Sequence, residues 1–294
     1  MTPRKWLGVA FLTGASVIWG GSVVAQKIAL QNWNPYFVLW VRGLGTLAVL
    51  IPYAIYGSLI NWKNLAGDFP RLFWLSLTGL GNSLFVICGL QFTTASEAGM
   101  IMGTNPILMA ILLKLSGKQS LDSKGWLAAL TTVSGVILVV LHPEDGSKPV
   151  HLLLGDLLVF LGVLSWTVYT LLGKDAMSRH SPLSISMLTW IGAIMITPLA
   201  FGTTPLPNNH SVAGIAALVY IVLIATVLAF FLWLSGLHEI GSAHSTVYLN
   251  LIPLSAILFS ALLLGESIQW RQWMGGGLIL TGAGLITHFQ KEAG

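Results

Sequence analysis

Long apolar runs separated by short polar breaks constrain the fold of this chain more than any other feature of its sequence. Each run is about 20 residues long, which is enough for a helix to cross a hydrocarbon core of roughly 30 Å. Only 8% of the 294 residues are charged, whereas soluble domains carry roughly 25%. The sequence therefore predicts an all-α integral membrane protein with ten transmembrane helices, at about residues 6–30, 35–57, 70–91, 95–116, 124–141, 152–173, 182–202, 211–233, 242–264 and 270–288.

The distribution of basic residues predicts the orientation of the chain in the membrane. With the N-terminus in the cytoplasm, ten of the 14 Lys and Arg residues fall on the cytoplasmic side. Lys27, Arg42, Lys148 and Arg271 are then left for the outer half. Because cytoplasmic loops carry an excess of Lys and Arg, this split predicts a multi-pass protein of the cytoplasmic membrane with both termini inside.

The sequence repeats itself at an offset of 147 residues, which is half its length. The offset pairs Gly8 with Gly155, Trp19 with Trp166, Lys27 with Lys174, Pro35 with Pro182, Gly89 with Gly236 and Pro106 with Pro253. Each half holds five predicted helices, and because five is odd the second half must enter the membrane in the opposite orientation. The prediction is two inverted five-helix repeats, at 1–147 and 148–294, an arrangement that recurs in secondary transporters.

Several phrases of the sequence resemble a known family. These are "VIWGGSVVAQKIAL", "NPYFVLWVRGLGTLAVLIP", "GLQFTTASEAGMIMGTNPILMAILL" and "GLHEIGSAHSTVYLNLIPLSAILFSALLLGES". They look like the two EamA domains of the drug/metabolite transporter superfamily. The resemblance implies a ten-helix carrier of the cytoplasmic membrane that exports amino acids or other small metabolites. It also implies a central cavity surrounded by helices 1, 3, 4, 6, 8 and 9.

Candidate substrate-binding residues lie within the predicted spans. Trp19, Trp166 and Tyr169 would give the cavity the apolar walls that suit a small amphipathic solute, with packing or an interfacial belt as the alternative. Asn105, Tyr248 and Asn250 should face the interior of the bundle, because a polar group facing lipid lacks partners. There they would hydrogen-bond either a polar substrate or another helix.

Two prolines occupy matched positions near the middles of spans 4 and 9. Pro106 and Pro253 each remove a helical hydrogen bond and crowd the carbonyl four residues earlier. The prediction is an interruption at each site, which serves either as a static kink or as a hinge for transport.

Arg42 lies about two turns into the second span, where a charge is costly. It can extend to the outer interface, pair with Glu97 in the same leaflet, or bind a substrate carboxylate. The offset position in the second half is Thr189, so the cation is not duplicated.

Glu97 lies in the phrase "TASE", which fits a helix-capping box with Thr94 as the N-cap. The carboxyl can therefore be structural, or it can be a gate at the entrance to span 4. The offset places His244 at the equivalent point of span 9. Either residue can couple transport to protons, because both types can titrate when their surroundings change.

The function predicted from these features is a secondary transporter that works by alternating access around a midplane cavity, and not an enzyme. No Walker A motif is present for the direct use of ATP. An intramembrane enzyme acting on lipid or prenyl substrates, or a channel, are the alternatives. The expected partners are membrane lipid, a small-molecule substrate and protons or another coupling ion.

Other partner classes are not expected. The Lys and Arg residues lie between spans without a continuous basic face, so nucleic acid is not an expected partner. One cysteine, Cys88, and no Cys/His spacing of the zinc type leave no metal or cofactor site to propose. Phosphorylated sugars generally need several buried cations, so neutral or zwitterionic solutes fit better.

Overall fold

The computed structural model describes residues 3–56, 67–117, 123–140, 150–176, 179–201, 211–240 and 246–292, and this part of the chain contains helices and no strand. The α-helices are α1 (Pro3–Ala29), α2 (Pro35–Tyr56), α3 (Phe69–Gly89), α4 (Ala95–Met102), α5 (Asn105–Leu115), α6 (Ser123–Val140), α7 (Val150–Ala176), α8 (Pro182–Phe201), α9 (Val212–Val219), α10 (Ala229–Ile240), α11 (Leu251–Phe259) and α12 (Trp270–Glu292). π-Helices occupy Tyr220–Leu228 and Ser260–Leu264, and a 3-10 helix occupies Thr246–Asn250.

The all-helical prediction is confirmed, and helical segments lie within each of the ten predicted ranges. Among the described residues, six helices are long and apolar enough to cross a membrane. They are Arg4–Ala29, Pro35–Tyr56, Phe69–Gly89, Ala95–Leu115, His151–Gly173 and Val212–Ile240. Large apolar side chains such as Leu127, Leu130 and Leu262 are 62–69% exposed, which suits contact with lipid rather than water.

The predicted fourth span is interrupted just before Pro106. α4 ends at Met102, and the amides of Gly103 and Thr104 donate to carbonyls three residues back, at Met100 and Ile101. α5 then begins at Asn105. A proline has no amide hydrogen, so the α-helical bond to the carbonyl of Met102 cannot form. The matched Pro253 follows the 3-10 helix, so the helix departs from α geometry before both prolines.

Glycines allow pairs of helices to approach closely, and one such contact occurs twice. A Cβ on Gly89 of α3 would lie 2.7 Å from the carbonyl oxygen of Gly155 on α7. A Cβ on Gly236 of α10 would lie 3.1 Å from the carbonyl oxygen of Gly8 on α1. The offset of 147 residues converts the first contact into the second. Small residues of this kind permit the close helix packing common in membrane proteins.

The buried core that supports the site lies where both halves meet. Its largest cluster joins Val23 of α1, Val86 of α3, Ile101 of α4, Val163 of α7 and Ala256 of α11. All five are less than 5% exposed. These helices are therefore held against one another by apolar packing around the cavity described next.

Candidate functional site

A cavity of about 250 Å³ lies between the helices of both halves. This is near the lower end of the size range of small-molecule pockets, about 300–1,000 Å³. Aromatic, aliphatic and small polar side chains line it: Trp19, Ser22, Val23, Gln26, Arg42, Gly79, Asn82, Ser83, Val86, Met102, Asn105, Val163, Trp166, Tyr169, Ser186, Thr189, Trp190, Ala225, Thr226, Phe230, Leu249 and Ile252. The resemblance implied a cavity lined by spans 1, 3, 4, 6, 8 and 9. The second and seventh predicted spans, which are α2 and α8, also line it and contribute Arg42 and Trp190.

The lining repeats with the same offset as the sequence. Fourteen of the 22 lining residues form seven pairs separated by 147 positions. The pairs are Trp19 and Trp166, Ser22 and Tyr169, Arg42 and Thr189, Gly79 and Thr226, Ser83 and Phe230, Met102 and Leu249, and Asn105 and Ile252. Each half therefore contributes equivalent positions to one cavity, although the side chains at those positions mostly differ.

The π-helix Tyr220–Leu228 binds two side chains of the first half, Trp19 of α1 and Arg42 of α2. Trp19 Nε1 donates to the carbonyl oxygen of Ala225 at 3.0 Å, and the Trp19 ring lies 5.2 Å from that of Trp233. The hydroxyl of Thr226 donates to the carbonyl of Ile221 at 2.7 Å, five residues back. π-Helical turns are rare and often occur at functional sites. Here the turn presents a carbonyl and a hydroxyl oxygen to side chains of α1 and α2.

Arg42 lies at the cavity wall. Its Nε donates to Thr226 Oγ1 at 2.8 Å, and its guanidinium carbon lies 4.8 Å from the centroid of the Trp190 ring. The structure does not pair Arg42 with Glu97, whose carboxylate contacts Thr93 and Gln272. In place of a pairing with Glu97, the structure shows contacts of Arg42 with α8 and with the π-helix.

The second half contributes an aromatic wall opposite these residues. Trp166 and Tyr169 of α7 stack with ring centroids 5.2 Å apart at an interplanar angle of 23°. Asn105 is held by Thr167, whose hydroxyl donates to its side-chain oxygen at 3.0 Å. The structure thus brings together five of the candidate residues, namely Trp19, Arg42, Asn105, Trp166 and Tyr169.

Other candidate residues lie outside the lining. Tyr248 and Asn250 are half-buried, but Leu249 and Ile252 face the cavity instead. The structure therefore places Leu249 and Ile252 at the cavity in place of Tyr248 and Asn250. Leu249 lies in the 3-10 helix and Ile252 in the following helix α11, so both contribute to the face that lines the cavity. His244 lies outside the described residues.

The two prolines lie beside the cavity without lining it. Pro253 packs against α4, because a Cβ on Gly103 would lie 3.4 Å from its Cγ and one on Gly99 would lie 3.7 Å from its carbonyl oxygen. Pro106 directly follows the lining residue Asn105.

Glu97 belongs to a group of buried and half-buried polar side chains that the sequence did not predict. We call Lys27, Thr93, Glu97, Asp156, Glu266 and Gln272 the polar cluster. Thr93 Oγ1 contacts Glu97 Oε2 at 2.9 Å and also Asp156 Oδ1, while Gln272 Nε2 donates to Glu97 Oε1 at 3.3 Å. Glu97 and Asp156 are only 1% and 2% exposed.

The remaining members of the polar cluster bind backbone groups at the same place. Lys27 Nζ donates to the carbonyls of Leu90 and Thr93 at 2.6 and 2.7 Å. Glu266 accepts from the amides of Ala95 and Ser96, each at 2.9 Å, and so caps the N-terminus of α4. Such contacts satisfy amides that a helix leaves without internal partners. The capping box around Glu97 was the only sequence signal for a polar contact at this helix end.

The capping box is present in part. Thr94 Oγ1 accepts from the amide of Glu97 at 3.1 Å, as an N-cap does. The carboxylate of Glu97 contacts Thr93 and Gln272, and its contact with Gln272 joins α4 to α12.

A second polar contact lies at the opposite ends of the helices. Asp68, just before α3, contacts His180 Nε2 at 2.9 Å and Arg179 Nη1 at 3.3 Å. The hydrogen bond with His180, together with the nearby charge of Arg179, holds the pKa of Asp68 below its usual value. This contact joins the start of α3 to the turn between α7 and α8.

Comparisons with known proteins agree with this architecture. The EamA-like transporter family matches residues 6–141 and again residues 153–288. Among curated relatives, the uncharacterized transporter YetK of Bacillus subtilis (strain 168) is 29% identical over 300 residues, covering 98% of this chain and 89% of YetK. The uncharacterized transporter YyaM of the same organism is 28% identical over 278 residues, covering 92% of this chain and 90% of YyaM.

A more distant relative and a solved structure extend the similarity. An uncharacterized transporter of Archaeoglobus fulgidus is 24% identical over 284 residues, covering 94% of this chain and 96% of the relative. A crystal structure of a protein with 15% sequence identity has a TM-score of 0.67 and covers 99% of this chain and 98% of its own, which indicates a shared fold. Because the family matches twice and spans nearly the whole sequence, the chain belongs to the EamA-like transporter family and is a multi-pass membrane transporter.

Proposed function

We propose that this protein is a secondary transporter that exports small amphipathic solutes, such as amino acids, by alternating access around the central cavity. The observation that carries the proposal is the lining of that cavity by seven pairs of residues related by the 147-residue offset. Two similar halves around one site can rock against each other and expose it to each side in turn.

The architecture that we propose has ten transmembrane helices in two inverted repeats, at 1–147 and 148–294, with both termini in the cytoplasm. The paired glycine contacts, Gly89 with Gly155 and Gly236 with Gly8, support a two-fold relation between the halves. The excess of Lys and Arg on one side supports the orientation.

The lining suits a small solute with an apolar body and a few polar groups. Trp19, Trp166, Tyr169 and Trp190 supply aromatic surface, and Asn105 supplies a fixed amide. Pockets of this kind bind through apolar contact and gain orientation from a few polar groups.

In the proposed orientation the polar cluster lies on the outer side of the cavity and closes the cavity on that side. Lys27 follows Gln26, the last lining residue of α1, by one position. Glu266 and Gln272 of the second half bind groups of the first half at α4. Opening to the outside would require these contacts to separate.

We propose that Pro106 and Pro253 act as hinges in this movement. Replacing Pro253 with Ala is expected to slow solute exchange and leave solute affinity unchanged, because a continuous helix resists bending. Exchange at the normal rate, at equal protein levels, would exclude the hinge role.

Protons are the coupling ion that the polar cluster supports. The hydroxyl of Thr93 has one hydrogen but contacts both Glu97 and Asp156. Both carboxyl groups are buried, and carboxyl groups can titrate when their surroundings change. We therefore propose Glu97 as the site of proton coupling, with His244 as the alternative from the other half.

The test is solute exchange by the purified protein in liposomes. Liposomes preloaded with a mixture of unlabelled amino acids are supplied with each labelled amino acid in turn, with and without an imposed pH gradient. Saturable counterflow is expected for a carrier. Ohmic current without saturation would instead support a channel, and chemical conversion of added lipid or prenyl compounds would support an enzyme.

A further inference from the structure

Arg42 is the only charged side chain among the described residues that line the cavity. The other lining residues are aromatic, aliphatic or neutral polar. A guanidinium remains protonated in proteins, so the cavity carries one positive charge that its own described walls do not balance.

The contacts of Arg42 leave most of its donors available. Its Nε is bound by Thr226, and one side of its guanidinium lies over the ring of Trp190. Thr226 is a neutral acceptor, because its own hydrogen is directed to the carbonyl of Ile221. The four terminal N–H groups therefore form no hydrogen bond within the described part of the chain. Burying an arginine without a carboxylate is unfavourable unless a ligand supplies one.

We propose that Arg42 binds a single carboxylate of the transported solute, so that the preferred solute is a monocarboxylate with an apolar or aromatic body. This inference rests on the proposed function, since it identifies the solute of the same cavity. The planar guanidinium matches a carboxylate with two parallel hydrogen bonds. Thr226 and Trp190 hold its plane in place before the solute arrives, which reduces the entropic cost of binding.

The same lining is poorly suited to two other kinds of solute, dianions and zwitterions. A dianionic phosphate would bring two charges to one cation. An ammonium group would find no acidic side chain among the described lining residues to pair with it. The amino group of an amino acid therefore adds nothing favourable to recognition and loses its hydration on burial, so the deaminated acid should bind at least as tightly as the amino acid.

The aromatic residues account for the rest of the solute. Trp19 lies beside the π-helix that also orients Arg42, because Ala225 and Thr226 are adjacent in the chain. The stacked Trp166 and Tyr169 line the same cavity. A flat apolar group can contact these rings while its carboxylate is bound by Arg42.

The experiment measures binding of three probes to the purified full chain by isothermal titration calorimetry. The probes are 3-phenylpropionate, its neutral amide 3-phenylpropanamide, and L-phenylalanine. The wild type is expected to bind the acid about tenfold or more tightly than the amide, as charged hydrogen bonds allow. L-Phenylalanine is expected to bind no more tightly than the acid, because its buried ammonium group would have no acidic partner among the described lining residues.

The variants separate charge from structure. Arg42→Gln is expected to bind acid and amide equally, with its affinity for the amide unchanged. Arg42→Lys should retain a reduced preference for the acid, because it keeps the charge and loses the planar fork. Arg4→Gln, an exposed change near the N-terminus, is the matched control and should behave as the wild type.

Several outcomes would overturn the proposal. These are no binding of the acid to the wild type, an acid preference that persists in Arg42→Gln, or much tighter binding of L-phenylalanine than of the acid. Counterflow of other solutes by a protein that shows any of these results would leave the transporter proposal intact. If binding depends on Arg42 but no counterflow is observed, the transporter proposal is contradicted and the proposal of a carboxylate-binding site still holds.

Discussion

The two halves of this transporter share their framework but differ in the charge that they contribute to the cavity. Trp19 and Trp166 line the cavity at equivalent positions, and the glycine contacts of α3 with α7 and of α10 with α1 repeat each other. At the position of Arg42 the second half has Thr189, which lines the same cavity as a neutral side chain. The comparison teaches that the two halves repeat helix contacts and cavity positions, whereas the charged side chain at the cavity comes from one half only.

The same asymmetry holds at the polar cluster. Asp156, Glu266 and Gln272 are offset from Val9, Gln119 and Gly125, so no equivalent set of acids exists in the sequence at the other end. In the alternating access that we propose, the two ends of the cavity would therefore close by different contacts. Four experiments test this comparison, from the largest expected effect to the smallest.

Loss of the Glu266 carboxylate should have the largest effect on stability. Glu266→Ala removes a charged acceptor from the amides of Ala95 and Ser96 and from the Ser96 hydroxyl. The expected loss is roughly 1.5–3 kcal/mol, because hydrogen bonds to charged groups contribute about this much. Thermal unfolding in detergent measures it, with Glu239→Gln as a control acid outside the polar cluster. An unchanged melting temperature would contradict the closing role of Glu266.

The repeated glycine contacts should differ in their tolerance of a methyl group. In Gly89→Ala the new Cβ meets the Gly155 carbonyl at 2.7 Å, and backbone cannot move away easily. In Gly236→Ala the closest atom is Cγ of Leu12 at 2.6 Å, a side chain that can shift. Overpacking costs about 1–3 kcal/mol, and Gly89→Ala should lie at the upper end of that range. Equal melting temperatures for the two variants would show that the halves are equivalent here.

Glu97→Gln should alter proton coupling more than it alters stability. The amide of glutamine can donate to Thr93 Oγ1, and its oxygen can accept from Gln272, so the variant keeps the polar cluster connected but cannot release a proton. We expect transport driven by a pH gradient to fall several-fold, about 1 kcal/mol in rate, with counterflow retained. His244→Ala tests the offset position of the other half. If the dependence on pH survives in both variants, neither residue couples protons.

The smallest effect is expected at the other end of the helices, at Asp68. Because the folded-state pKa of Asp68 is lowered by His180 and Arg179, its contribution to stability is present above the unfolded value of about 4. That contribution is lost as the pH falls below about 4, through the lower folded-state pKa. Asp68→Asn should therefore reduce stability slightly at pH 7 and flatten the decline in acid. Parallel melting curves of variant and wild type between pH 3 and 7 would contradict this contact.

The fold could be predicted largely from local sequence. Apolar runs of the right length predicted each helical range, because the backbone in lipid has to satisfy its own hydrogen bonds. Thr94 was predicted as the N-cap of α4, and its hydroxyl accepts from Glu97 as expected. The interruption before Pro106 followed from the missing amide of proline.

The site could be predicted only at residues whose side chains are unfavourable in contact with lipid. Trp19, Arg42, Asn105, Trp166 and Tyr169 are poorly suited to lipid when they lie within a span, and the structure brings them to one cavity. Tyr248 and Asn250 followed the same argument, but Leu249 and Ile252 line the cavity in their place. The face of a helix that turns toward the cavity depends on packing and is not visible in a hydropathy pattern.

By itself, the sequence determined the helices, the repeat and the family, because length, hydropathy and a constant offset are properties of the chain alone. Only the tertiary structure decided that Arg42 is held by Thr226 and Trp190, and that Glu97 joins Thr93 and Gln272. These partners come from segments far apart in the chain, up to 184 residues for Arg42 and Thr226. Their contacts depend on how the helices pack and where a π-helix or 3-10 helix rotates a side chain, and packing is a property of the folded protein.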